Sequence, residues 1–181
     1  MPFFLITLAV AVGVALVAGG TLRQILETRL RATWALFIAL GLQLVLDLLG
    51  PQRSGEPSTV GSALLVASYV LLLGFCAANL RLKGMAVVAV GIGLNAAVIT
   101  VNRGMPIRTS ADLTATVKHH AERPSDRLMP LADIIVVPPI NQALSFGDLI
   151  MVVGLVDVLV HRSRATSLRR RAVPSPAAAP A

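Results

Sequence analysis

The chain has 181 residues, 55% of them hydrophobic and only 14% charged, with a mean hydropathy of +0.77. An ordinary soluble domain carries roughly a quarter charged residues, so the composition argues against one and for a membrane domain. The net charge of +7 does not point to nucleic acid, because aromatics total 4% and no basic stripe is interleaved with them.

The apolar residues come in blocks. The first, Pro2–Gly19, carries no charge. It lacks the basic leader of a secretory signal, so it is expected to stay as a membrane helix. The next segment, "TLRQILETRLR", places Leu22, Ile25, Leu26 and Leu30 on one helical face, so it can lie along a membrane surface. Ala32–Leu49 is the second block, and "GPQRSGEPSTVG" after it reads as a short exposed turn. Ser62–Leu80 and Gly84–Val101 are the third and fourth, joined by a turn holding Arg81 and Lys83. The fifth, Phe146–Val160, is shorter and contains Asp148 and Asp157. About 20 apolar residues rise 30 Å as a helix, the thickness of a bilayer core. The expected fold is therefore an all-α membrane domain over 1–161 with five transmembrane helices, at about 2–19, 32–49, 62–80, 84–101 and 145–161. A basic, then Pro/Ala-rich tail over 162–181 is expected to be disordered.

Lys and Arg set the orientation. Ten of them fall in 21–31, the Arg81–Lys83 turn and the tail, against six on the other side. The N-terminus is then outside and the C-terminus cytoplasmic in a bacterial inner membrane. Tail residues Arg162, Arg164, Arg169, Arg170 and Arg171 would meet anionic lipid. The single cysteine, Cys76, makes no intramolecular disulfide and reads as a packing residue.

The one long connection, 102–144, falls on the outer side. Its polar part, 107–128, is expected to be partly helical. Its apolar part, "LADIIVVPPI", is too short to span as a helix, and Ile134–Val137 before two prolines favour an extended path. Such backbone survives at membrane depth only when buried in protein or lining a wet cavity. A re-entrant or rim-lying segment is expected there.

Ser145-Phe-Gly-Asp148 has the form of a capping box, with Ser145 capping the last helix and Asp148 answering back. Asp133 is no obvious cap; an ion pair with Arg103, Arg108 or Arg127 would account for it. Should Asp133 and Asp148 face one another, one would keep its proton and supply a general acid beside a general base. Asn95 and Asn102 are seven apart on one helix face, and with Arg103 and Ser145 they could line an outward-facing polar pocket. Asn79 and Thr100 add polar groups in or near the membrane. Asp157 stands four before His161, a helical contact. "KHHAE" offers adjacent histidines that a helix would point about 100° apart, so no metal site is expected. No cofactor motif is present.

The stretches "LNAAVITVNRGMPI", "LADIIVVPP" and "LSFGDLIMVVG" resemble a family of small bacterial membrane proteins of unknown function, over about residues 1–161. The last third is also similar to lipoprotein signal peptidase, a membrane aspartic peptidase. That resemblance implies Asn102-Arg103-Gly104 as its Asn-x-Gly stretch and Asp133 and Asp148 as its catalytic dyad. The chain departs from that family in having Ser145 where an asparagine precedes the second aspartate, in its long polar loop, and in five helices for four. Three functions remain open: binding of a lipid-like or small amphipathic ligand or a membrane partner (a homo-oligomer included), hydrolysis by Asp133 and Asp148, and transport along Asp157 and Asn95.

Overall fold

The computed structural model describes residues 2–19, 21, 23, 29–48, 59–107, 118–137 and 142–171. Among these are five helices, and the protein is mostly helical: α1 (Pro2–Val17), α2 (Thr33–Leu48), α3 (Thr59–Ala78), α4 (Met85–Asn102) and α5 (Phe146–Arg171). Each begins and ends near its expected position, except that α5 runs ten residues past 161. Arg, Ala and Leu are good helix formers, and no proline occurs before Pro174 to stop it. Most of segment 21–31, the turn 49–58 and the chain end 172–181 lie outside the described residues.

Two helices, α3 and α4, are long and apolar enough to cross a membrane. The other three differ from the expected spans for physical reasons. Helices α1 and α2 have 16 residues each, a rise of about 24 Å against a core of about 30 Å. Helix α5 has 26 residues but carries Asp148, Asp157 and a basic end.

The helices lie side by side in the order α2, α3, α4, α5, α1. Helices α4 and α5 are antiparallel and in backbone contact, because glycines recur every seven residues on both facing stripes. A Cβ added at Gly91 would fall 2.5 Å from the Gly147 carbonyl oxygen and 2.7 Å from the Met151 nitrogen. One added at Gly154 would fall 2.5 Å from the Val88 nitrogen. Small residues that let helix backbones touch are the usual membrane packing device. Two apolar clusters fill the rest. One joins Phe75, Cys76, Met85, Val88 and Val158 near the α3–α4 turn; the other joins Leu46, Leu65, Val98, Ile99, Met105 and Ala132 at the opposite end. Cys76 is fully buried. Tyr69 packs against both clusters.

Asparagines clamp both ends. The Asn79 side chain accepts from the Arg31 N–H and donates to its carbonyl, each at 2.8 Å. Asn102 does the same for Arg127, again at 2.8 Å. The first clamp gathers Arg29 and Arg31 to the end that holds Arg81 and Lys83.

The segment between α4 and α5 is a β-rich cap. Strand β1 (Met105–Ile107) pairs in parallel with β2 (His119–Ala121), and Ile107 also bridges in parallel to Asp133. Strand β3 (Ile135–Val137) pairs antiparallel with β4 (Gln142–Leu144). The extended path expected at 134–137 is β3. The helical character expected within 107–128 gives way to β2, whose backbone finds partners on the buried edge of β1; residues 108–117 are outside the described part.

Candidate functional site

Chain geometry recesses the start of α5. Asn95 hydrogen-bonds Asp148, two residues inside α5, yet α4 continues seven residues further to Asn102. That is about 10 Å of extra helix. The cap residues Met105 and Ala132 fill the space beside it, against Val98 and Ile99.

Ser145 and Asp148 form the reciprocal cap their spacing predicts. The Asp148 N–H donates to Ser145 Oγ at 3.0 Å, and the Ser145 N–H donates to Asp148 Oδ2 at 2.9 Å. Asn95 joins them. Its Nδ2 donates to Asp148 Oδ1 at 2.9 Å, and Ser145 Oγ stands 2.9 Å from Asn95 Oδ1 and 2.8 Å from Asp148 Oδ2. Ser145 has one hydroxyl proton for those two acceptors. The Tyr69 hydroxyl meets Asn95 from α3. Gly147 leaves room for the network, because a Cβ there would collide with the Asn95 amide.

Asp133 is differently placed. It is 5% exposed, and its Oδ1 has no hydrogen-bond partner among the described residues. Its Oδ2 lies 3.5 Å from His119 Nε2. Burial, and behind it the Asp148 carboxylate, push the Asp133 carboxyl up to about 8. Burial, with Lys118 beside it, pushes His119 down to about 4. Between those values the pair holds one proton. No hydrogen bond joins Asp133 to Asp148; they sense one another through space, and Tyr69 senses both.

Among the described residues Asp133 meets His119 and neither Arg103 nor Arg127; Arg108 lies outside the described residues. Arg127 is tied by its backbone to Asn102, while β2 delivers the histidine. The helical geometry expected for "KHH" is corrected. In a strand neighbouring side chains point to opposite faces, so each residue meets a different aspartate: Lys118–Asp47 at 2.8 Å, His119–Asp133 at 3.5 Å and His120–Asp126 at 3.7 Å. These pairs hold the cap to α2 and to itself.

Of the remaining candidates, Asn102 spends its amide on Arg127 and on the Val98 carbonyl. Exposed Arg103 ends α4 in the left-handed region, and its carbonyl accepts from Ser62 Oγ at 2.6 Å. Neither joins the Asn95–Ser145–Asp148 network. Near the middle of α5, Asp157 Oδ1 meets His161 Nδ1 at 2.8 Å. Arg162, Arg164, Arg169, Arg170 and Arg171 lie on the last turns of α5. Among the described residues no three His, Cys, Asp or Glu side chains are grouped to hold a metal.

Tyr69 and His119 were not among the candidate site residues. A signal for Tyr69 existed: it is the one tyrosine of the chain, inside an apolar block, and a buried phenol needs a partner. Nothing local marks His119, because its role depends on a strand pairing.

The fold and this polar cluster define a helical protein with two helices able to cross a membrane. It belongs to a family of unknown function (DUF5317), whose model matches residues 27–160. No curated protein and no solved structure matches the chain, so the similarity to lipoprotein signal peptidase rests on the quoted residues alone.

Proposed function

We propose that the chain is a five-span protein of the bacterial cytoplasmic membrane, N-terminus outside and C-terminus inside, that binds a lipid-like or small amphipathic ligand in a polar recess at its outer end. The recess lies where α5 starts about two turns below the end of α4. Asp133, Asp148, Asn95, Ser145 and Tyr69 gather there, and the paired strands β3 and β4 belong to a re-entrant or rim-lying segment beside it. The observation that carries the reading is Asp133: a carboxyl 5% exposed with one oxygen that has no partner among the described residues. A buried polar atom left unsatisfied costs about 1–3 kcal/mol, a reason to hold a place for a ligand donor. Asp148, by contrast, is half-buried and engaged by the helix cap.

Native mass spectrometry tests it. Wild-type protein released from mild detergent should retain a bound amphiphile that Asp133→Asn loses. Equal retention by both would remove the recess as the site.

A second reading, hydrolysis, is favoured by the unequal carboxyls. Asp133 keeps its proton at neutral pH while Asp148 sits among donors from Ser145 and Asn95, the division of labour an acid–base pair needs. It requires Asp133→Asn and Asp148→Asn each to abolish prolipoprotein cleavage. The transport reading finds less support, because α4 and α5 touch at Gly91 and Gly154 between Asp148 and Asp157.

A further inference from the structure

The recess has a surplus of acceptors. Asp133 Oδ1 has no donor among the described residues. Asp148 Oδ1 takes only the Asn95 N–H, leaving a lone pair, and Ser145 has one proton for two nearby oxygens. Among the described residues no Lys or Arg forms an ion pair with Asp133 or Asp148; Lys118, the nearest cation in sequence to His119, is engaged by Asp47. Once Asp133 is ionised, the described residues leave such a site short of hydrogen-bond donors and of positive charge. A metal ion would supply charge, but among the described residues no cluster of ligands is grouped for one. A primary ammonium supplies both, with three N–H donors on one compact cation.

We infer that the recess takes a primary ammonium group, carried by a lipid headgroup or by a free amine. This rests on the binding-site reading above and names its ligand class. Asp133 Oδ1 and Asp148 Oδ1 accept two of the N–H groups, and the Tyr69 oxygen is placed on α3 to take the third. Lipid access is through Asp148, which is half-buried and flanked by exposed Phe146 and Leu149.

The proton balance is explicit. Asp133 is protonated below about pH 8 and faces His119 on β2, Asp148 on α5 and Tyr69 on α3. An arriving ammonium keeps its own proton and expels that of Asp133, giving an ammonium–carboxylate pair and one free proton. Binding therefore tightens about tenfold per pH unit up to about pH 8 and then levels off.

The experiment uses full-length protein in phosphatidylglycerol nanodiscs doped with phosphatidylethanolamine or phosphatidylcholine, and bound lipid is read by native mass spectrometry at pH 6 and pH 8. The same protein in detergent is titrated with ethanolamine and its thermal midpoint followed. Retention of phosphatidylethanolamine over phosphatidylcholine, stronger at pH 8 and lost in Asp133→Asn, supports the proposal with a lipid source. Stabilisation by ethanolamine without lipid retention, again dependent on Asp133, supports it with a free amine as source. Equal retention of phosphatidylcholine or phosphatidylglycerol, lost in Asp133→Asn, overturns the amine while leaving the recess as a lipid site. Retention unchanged in Asp133→Asn, with no effect of ethanolamine, overturns both. Asp133→Asn keeps the side chain's shape and exchanges a carboxyl that is neutral below about pH 8 for a neutral amide, so it should fold; His119→Gln is the control that leaves both carboxyls in place.

Discussion

Replacing Asp133 by asparagine should change the sign of the protein's stability against pH. In the folded chain Asp133 is raised from 3.8 to about 8, and His119 is lowered from 6.5 to about 4. Stability rises with pH where the unfolded state binds more protons and falls where the folded state does. From about pH 4 to 6.5 the folded pair holds one proton on Asp133, and the unfolded pair holds one on His119, so the two contributions cancel. Above 6.5 the unfolded histidine has lost its proton while folded Asp133 keeps its own up to about 8. Stability should then fall across that window. At 1.36 kcal/mol per unit the loss is about 2 kcal/mol, or a midpoint drop of ~4–8 °C for a chain this size. In Asp133→Asn only the lowered histidine remains: stability present above 6.5 is lost as pH falls towards 4, and the alkaline decline disappears. In His119→Gln only the raised carboxyl remains, and the decline should begin near pH 4. Thermal unfolding in detergent at half-unit steps from pH 4.5 to 8.5 reads all three, and subtracting variant from wild type removes titrations common to both. An alkaline decline that persists undiminished in Asp133→Asn would refute the assignment of the shared proton.

Adding a methyl group at Gly91 should push α4 from α5, since the nearest atoms are backbone at 2.5 and 2.7 Å; Gly91→Ala should destabilise by about 1–3 kcal/mol, while Gly93→Ala, with open space around it, should unfold like wild type or later. Ser145→Ala removes the α5 cap and should cost about 1 kcal/mol, with Ser145→Thr recovering most of it; equal midpoints for the two variants would contradict the cap. Reporters fused at the two ends should read periplasmic for the N-terminus and cytoplasmic for the C-terminus; the reverse pattern would overturn the orientation drawn from the ten-to-six distribution of basic residues.

What the sequence carries legibly is local. The five helical blocks follow from apolar composition, and the Ser145–Asp148 cap follows from a four-residue spacing. Val137 before Pro138-Pro139 marks an extended segment for steric reasons that need no partner. What it does not carry is pairing across distance. His119 finds Asp133 because β1 aligns β2 on one edge and Asp133 on the other, and no residue near "KHH" encodes that register. The helical reading of the two histidines, and with it their 100° separation, therefore failed with the secondary structure assigned to them. Asn102 misled differently. It shares a helix face with Asn95, but it lies at the very end of α4, where a free carbonyl and the Arg127 backbone claim its amide before any pocket can. Asn95, one pair of turns deeper, meets α5 instead.

The two aspartates of α5, Asp148 and Asp157, provide a last test, because they separate binding from transport. Asp148 and Asp157 lie nine residues apart, about 13 Å along the helix. On the side facing α4, the stripe between them passes Met151 and Gly154. A Cβ at Gly154 would sit 2.5 Å from the Val88 nitrogen, so the two backbones leave no width there for a file of water. Asp157 has its own partner in His161 at 2.8 Å. The two sites should then be energetically independent. Sites farther apart than about 7–10 Å without shared partners add within roughly 0.5 kcal/mol. Asp133→Asn and Asp157→Asn, combined, should shift the unfolding free energy at pH 7 by the sum of their separate shifts, and Asp157→Asn alone should leave the alkaline decline of the wild type intact. A coupling well beyond that margin, or loss of the decline in Asp157→Asn, would mean that protons at the two sites communicate through the helix pair, and the transport reading would displace the recess.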